Sequence, residues 1–271
     1  MITILAIAIG GLIVVFAAVL YFMQPWMLFH PTKALSVTPD QVGLVFEDVR
    51  IPVNEKHEIH AWFLPSSDSA VTVLFCHGNA GNISHRLETA HYLVSLGFNV
   101  LLFDYRGYGQ SDGSPGEDEM YADGRAAYEW LRNEKHLPAE RVVIFGRSLG
   151  VAVAVDLASQ VPARALVLES TFSSVTDMAR HLFPFLPMKW LLRFRLDSES
   201  KIGSVAMPIL MVHSPQDEIV PYQFGRKLFE AAPEPKTFVE ISGGHNERDY
   251  MHTESYQQAL LAVMSAENGK R

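Results

Sequence analysis

One cysteine, Cys76, stands in the 271-residue chain, so neither an intramolecular disulfide nor a cysteine-cluster metal site is available. Basic residues are in deficit: 22 Lys and Arg against 30 Asp and Glu leave a formal charge of -8, which excludes a broadly basic nucleic-acid surface. The 11 histidines include no H-E-x-x-H or comparable ligand spacing, and neither a metal nor an organic cofactor is expected. Repeats, low-complexity tracts and long linkers are also missing. Charge is missing from one region altogether, because no Asp, Glu, Lys or Arg precedes Lys33.

That charge-free start is strongly apolar, with 24 of the first 29 residues in the hydrophobic set. Residues 2–23 form an uncharged run that, as a helix, spans about 33 Å, enough for a hydrocarbon core of about 30 Å. A cleaved signal peptide would have a basic residue before the run and small residues after it. Here nothing basic precedes it, and Tyr21, Phe22, Met23, Gln24, Pro25 and Trp26 end it. The run therefore reads as an N-terminal transmembrane helix with an aromatic interfacial end, rather than as a cleaved signal or a buried helix. Lys33, the nearest positive charge, favours a cytoplasmic side for the residues C-terminal to the run, with a periplasmic or other extracytoplasmic side as the alternative. The expected organisation is a membrane anchor and flank over 1–32 and one globular domain over 33–271.

In the body, short β-branched and aromatic runs alternate with longer amphipathic ones, the pattern of an α/β fold with a mostly parallel sheet and helices on both faces. Residues 45–53 and 58–64 read as an antiparallel opening pair. Strands are expected at 72–76, 99–103, 141–145, 165–168, 209–212 and 237–241, and helices at 83–96, 117–135, 149–160, 222–231 and 248–264. The stretch 172–205 breaks this rhythm with apolar and aromatic residues cut by Pro184 and Pro187, and reads as a short helical lid insertion. Arg180, Lys189, Arg193 and Arg195 are interleaved in it, a pattern suited to lipid headgroups or simply to packing on the domain.

Gly146-Arg147-Ser148-Leu149-Gly150 fits G-x-S-x-G, which needs a sharp strand-to-helix turn where flanking glycines avoid a Cβ collision. A second copy, Gly109-Gln110-Ser111-Asp112-Gly113, runs on into Ser114, Pro115 and Gly116, so no helix can start behind Ser111. Ser148 is thus the candidate nucleophile. A serine hydroxyl needs a base, and the base needs an orienting acid. Asp217 follows one expected strand and His245 the last, giving the chain order Ser148, Asp217, His245. An oxyanion would be bound by the backbone N–H of Leu149, next to the nucleophile, and of Asn79, in the turn after the third strand. His77 and His213, both at strand ends, read as packing residues.

Five segments, HGNAGN (77–82), DYRGYGQSDG (104–113), GRSLG (146–150), HSPQDEIVP (213–221) and GGHN (243–246), resemble those of the α/β-hydrolase superfamily. Within it the chain is similar to the membrane-anchored serine hydrolases of the Bem46-like type, related to depalmitoylases and monoacylglycerol lipases. Val151 departs from the pattern, since many relatives have glycine after GRSLG. The resemblance implies an α/β-hydrolase fold and hydrolysis of an ester or thioester through an acyl-enzyme, acting on a small-molecule or lipid-like acyl substrate at a membrane. A serine peptidase of the same fold and a non-catalytic membrane-anchored scaffold are the alternatives.

Overall fold

In the computed structural model, residues 11, 15, 18–66 and 71–265 are described. Most of the apolar run expected to span a membrane lies outside them, and among the described residues no helix is long and apolar enough to cross a bilayer. Residues 18–28 are helical (α1).

The opening pair forms as β1 (Glu47–Asn54) and β2 (His57–Leu64), antiparallel, with Ile51 opposite Ile59. It leads into β3 (Thr72–Cys76), α2 (Leu87–Ser95), β4 (Asn99–Phe103), α3 (Glu117–Asn133), β5 (Val142–Arg147), α4 (Gly150–Ala158) and β6 (Ala165–Glu169). The insertion then supplies α5 (Val175–Leu182), α6 (Met188–Leu191) and α7 (Glu199–Ile202), and the chain closes with β7 (Ile209–His213), α8 (Tyr222–Ala231), β8 (Lys236–Glu240) and α9 (Glu254–Ser265). The eight strands lie in the order β1-β2-β4-β3-β5-β6-β7-β8. β1, β2 and β4 are joined antiparallel, and every later neighbour is parallel.

β3 to β7 are covered on both faces, which is why they read as unbroken apolar runs. Alternate residues serve opposite cores: Leu74 and Cys76 pack with α3, α4 and α8, while Val73 and Phe75 pack with α2 and α9. At the exposed edge, β8 is at most half-buried and begins and ends on Lys236 and Glu240, charges that discourage pairing with another chain.

Two elements differ from the sequence expectation. The helix expected over 83–96 begins as a 3-10 turn, Ile83–Arg86, in which the Asn82 side chain accepts from the Ser84 N–H. The single helix expected over 248–264 is two pieces, a 3-10 turn Asp249–His252 and α9, separated by extended Thr253. Burial explains the break. Tyr250 and Tyr256 both donate to the buried Glu169 carboxylate, at 2.9 and 2.5 Å, and on one straight helix they would point about 120° apart.

Candidate active site

Ser148 occupies the turn between β5 and α4 with φ +52, a left-handed conformation that a side chain tolerates only under constraint. The constraint is visible on both sides: Ser148 N–H donates to Glu169 O at 2.9 Å, and Ser148 O accepts from Val151 N–H at 2.9 Å. The helix behind it starts hard against the sheet. A Cβ on Gly150 would fall on the Cys76 carbonyl oxygen and 2.6 Å from that of His77. Val151, the departure from the family pattern, is accommodated fully buried in the core between sheet and helices.

His245 lies in the loop after β8 and Asp217 in the loop after β7. Fold topology brings both to Ser148: His245 Nε2 is 3.1 Å from Ser148 Oγ, and His245 Nδ1 is 2.8 Å from Asp217 Oδ2. A hydroxyl so placed can pass its proton to the imidazole, and the carboxylate fixes the ring's other nitrogen as the donor. The histidine backbone is pinned twice, with its N–H donating to Glu218 Oε2 at 2.9 Å and its carbonyl accepting from Arg147 Nη2 at 2.8 Å. Neither Arg147 nor Glu218 stood out in the sequence.

Burial raises the Asp217 carboxyl's affinity for a proton. Hydrogen bonds from His213, His245 and the Val220 N–H outweigh that effect and hold it well below the usual carboxylate range. The Ile219 N–H adds a further donor, at 3.0 Å to Oδ1. His213, read from the sequence as packing, is buried, with Nε2 3.0 Å from Val220 O and 3.4 Å from Asp217 Oδ2. The folded protein thus binds fewer protons at Asp217 than the unfolded chain, whose aspartates titrate near about 3.9. Asp217 therefore stabilises the fold fully above about pH 5, and this contribution is lost as pH falls through the acid range. Urea unfolding across pH will show a steeper acid loss for wild type than for Asp217→Asn; equal slopes would contradict the assignment.

Asn79, in the turn after β3, and Leu149 share with Ser148 the wall of a cavity of about 370 Å³. No hydrogen bond from either backbone N–H to another protein group is found among the described residues. The rest of the lining is mostly apolar, from the insertion (Met178, Leu182, Met188, Leu192) and from α1 (Met27, Leu28). Arg86, also unflagged by the sequence, donates to the carbonyls of Gly78, Asn79 and Ala80, and burial lowers its pKa to about 10.

Ser111 is used up structurally, donating to Asp104 O at 2.7 Å and accepting from the His60 N–H at 2.8 Å. His77 is buried, its Nδ1 2.7 Å from Gly78 O and its ring 4.4 Å from that of Tyr105. It makes no bond to Ser148 or His245.

Residues 67–199 match the serine aminopeptidase S33 family. The α/β-hydrolase domain-containing protein WAV2 of Arabidopsis thaliana is 36% identical over 263 residues, covering 87% of this chain and 85% of WAV2. Lysophosphatidylserine lipase ABHD12 of Danio rerio is 32% identical over 197 residues, covering 65% of this chain and 51% of the lipase. Among solved structures, the esterase Pf2001 of Pyrococcus furiosus superposes with a TM-score of 0.70 at 20% identity, covering 88% of this chain and 97% of the esterase. That likeness concerns the fold, while the identity to WAV2 extends along most of both sequences. The chain belongs to the α/β-hydrolase superfamily.

Proposed function

We propose that this hydrolase is a serine esterase that cleaves carboxylic ester or thioester bonds of lipid-like acyl substrates, held at a bilayer by its N-terminal apolar run with the catalytic domain on the cytoplasmic side. The observation that carries the reading is the relay from Ser148 through His245 to Asp217, at 3.1 and 2.8 Å, opening into an apolar cavity.

In this reading Ser148 Oγ attacks the acyl carbon while His245 Nε2 takes its proton. The carbonyl oxygen gains the negative charge and accepts hydrogen bonds from the N–H groups of Asn79 and Leu149, donors worth about 10² to 10³ in rate each. Collapse of this intermediate breaks the bond to the alcohol or thiol, which leaves with the proton from His245. Water then attacks the acyl-Ser148 ester, with His245 again the base, and the carboxylic acid departs. Asp217 accepts from Nδ1–H throughout and stabilises the imidazolium.

The lipid-like preference rests on the cavity and on the surface beside it. Phe185, Trp190 and Trp26 are 97%, 87% and 75% exposed, and Arg180 and Arg193 belong to the same insertion as the first two, an arrangement that suits an interfacial region. The Danio rerio relative bears the name of a lipase. A peptidase reading is favoured by the name of the matched family, and one assay separates the two. Full-length protein treated with a fluorophosphonate probe should form an adduct at Ser148. It should hydrolyse p-nitrophenyl esters faster as the acyl chain lengthens, more so in vesicles than in detergent. Equal or better turnover of the acetyl ester would overturn the lipid preference, cleavage confined to aminoacyl anilides would favour the peptidase, and a folded protein without an adduct would remove the enzyme assignment.

A further inference from the structure

Residues 24–34 do not lead away from the site but cross it. Leu28 O accepts from Asn79 Nδ2 at 2.6 Å, and the His30 N–H donates to Asn79 Oδ1 at 3.1 Å. Main chain pairs with main chain next: Gly81 N–H to His30 O at 3.1 Å and Thr32 N–H to Gly81 O at 3.0 Å. Asn82 Nδ2 then donates to Thr32 O and Ala34 O at 3.0 and 2.7 Å. At its other end the same strap holds the lid. Gln24 donates to Leu191 O at 2.8 Å and accepts from the Arg193 N–H at 2.7 Å, and the buried Phe29 meets the ring of Phe194 at 5.1 Å.

We propose that this strap is a working part of the oxyanion hole, and that the Asn79 carboxamide is the positioning group through which it acts; the inference rests on the esterase reading above. The turn after β3 is built from Gly78, Asn79, Ala80 and Gly81, with Ala80 at φ +57, and has little apolar bulk of its own to fix it. It is held from two sides instead. On one, Arg86 gathers three successive carbonyls, turning the intervening peptide N–H groups away from itself. On the other, Asn79 Oδ1 collects the His30 N–H, the Ala80 N–H at 2.9 Å and the Tyr108 hydroxyl at 2.9 Å, while Nδ2 anchors to Leu28 O. The side chain of Asn79 thereby sets the direction of its own backbone N–H, the donor a developing oxyanion meets. Because Met27 and Leu28 also line the cavity, one short segment holds in register the donor, the acyl wall and the lid.

The test uses the full-length chain with Asn79→Ala and Tyr108→Phe, the second removing only a hydroxyl and so guarding against a folding failure of the first. Displacing an oxyanion donor by a fraction of an ångström lowers the rate without weakening ground-state binding. Asn79→Ala should lower kcat for p-nitrophenyl butyrate about 10- to 100-fold with KM within about twofold, and should slow fluorophosphonate labelling in parallel. Tyr108→Phe should move both rates the same way by about three- to tenfold with the thermal midpoint retained. If Tyr108→Phe, or a folded Asn79→Ala, keeps wild-type kcat, or if the loss falls on KM alone, the proposal is overturned. Failure of the wild type to form a Ser148 adduct would instead overturn the esterase reading, and this inference with it.

Discussion

Replacing Ser148 by glycine should abolish turnover and yield a protein more stable than the one carrying alanine there. With Ser148 as the proposed nucleophile, its loss is expected to lower kcat by about 10⁶, as for hydroxyl nucleophiles that act as a unit with their base. Stability moves the other way because of φ +52 at this position. Holding an L-residue in the left-handed region costs about 1–2 kcal/mol, and Ser148→Ala keeps that cost because it keeps the Cβ. Glycine removes it but loses about 0.5–1 kcal/mol through the greater freedom of the unfolded chain. The net expectation is a glycine variant about 0.5–1 kcal/mol more stable than the alanine variant. Urea unfolding of the two proteins measures the difference directly. A less stable glycine variant would mean that the turn is not strained, and turnover within tenfold of wild type in either would dismiss Ser148 as the nucleophile.

Gly150→Ala should be the most damaging single-methyl change to the fold. The added carbon would meet the carbonyl oxygens of Cys76 and His77, which are backbone at the end of the central strand β3, and a methyl group has no rotamer by which to turn aside. α4 must therefore move off the sheet, taking with it the Ser148 turn and the Leu149 N–H at its first residues. Overpacking in a well-packed interior costs about 1–3 kcal/mol and occasionally more. With two backbone carbonyls in the way, the upper end, about 3 kcal/mol, is expected here, a large share of the roughly 5–15 kcal/mol by which domains are stable. Activity should fall as well, by about 10²-fold for a displacement near 1 Å. Gly203 supplies the control, since nothing lies within 4 Å of a Cβ added there; Gly203→Ala should stay within about 0.5 kcal/mol of wild type. Thermal melts of both variants, paired with Ser148 labelling rates, would show this contrast, and a Gly150→Ala protein as stable as Gly203→Ala would refute it.

Much of this was readable from local pattern. β3, β4 and α8 begin and end where the sequence puts them, because apolar runs bounded by turn residues report directly on strands buried from both sides. Ser148 could be told from Ser111 by the residues C-terminal to each, and the structure accordingly spends the Ser111 hydroxyl on backbone partners. Less legible were groups whose role depends on a distant partner. Arg86 and Arg147 act on carbonyls of the loops that carry Asn79 and His245, and side chain to backbone bonds leave no periodic trace. The break at Thr253 was hidden for a related reason: residues 248–264 satisfy helical periodicity, and only the buried carboxylate of Glu169, far off in sequence, requires Tyr250 and Tyr256 to converge. The strap escaped notice because its bonds to the turn after β3 are made largely by main chain, which every residue possesses.

Glu169 also has a bearing on when the site comes into being. Its carbonyl holds the Ser148 amide, while its carboxylate is held by two tyrosines near the far end of the chain. A domain folds as a unit, and the residue that supports the Ser148 turn has an unsatisfied buried carboxylate until Tyr250 and Tyr256 arrive. His245 is delivered only shortly before. Before residues 245–256 have docked, Ser148 lacks both its support and its imidazole partner, and folding itself serves as the safety catch.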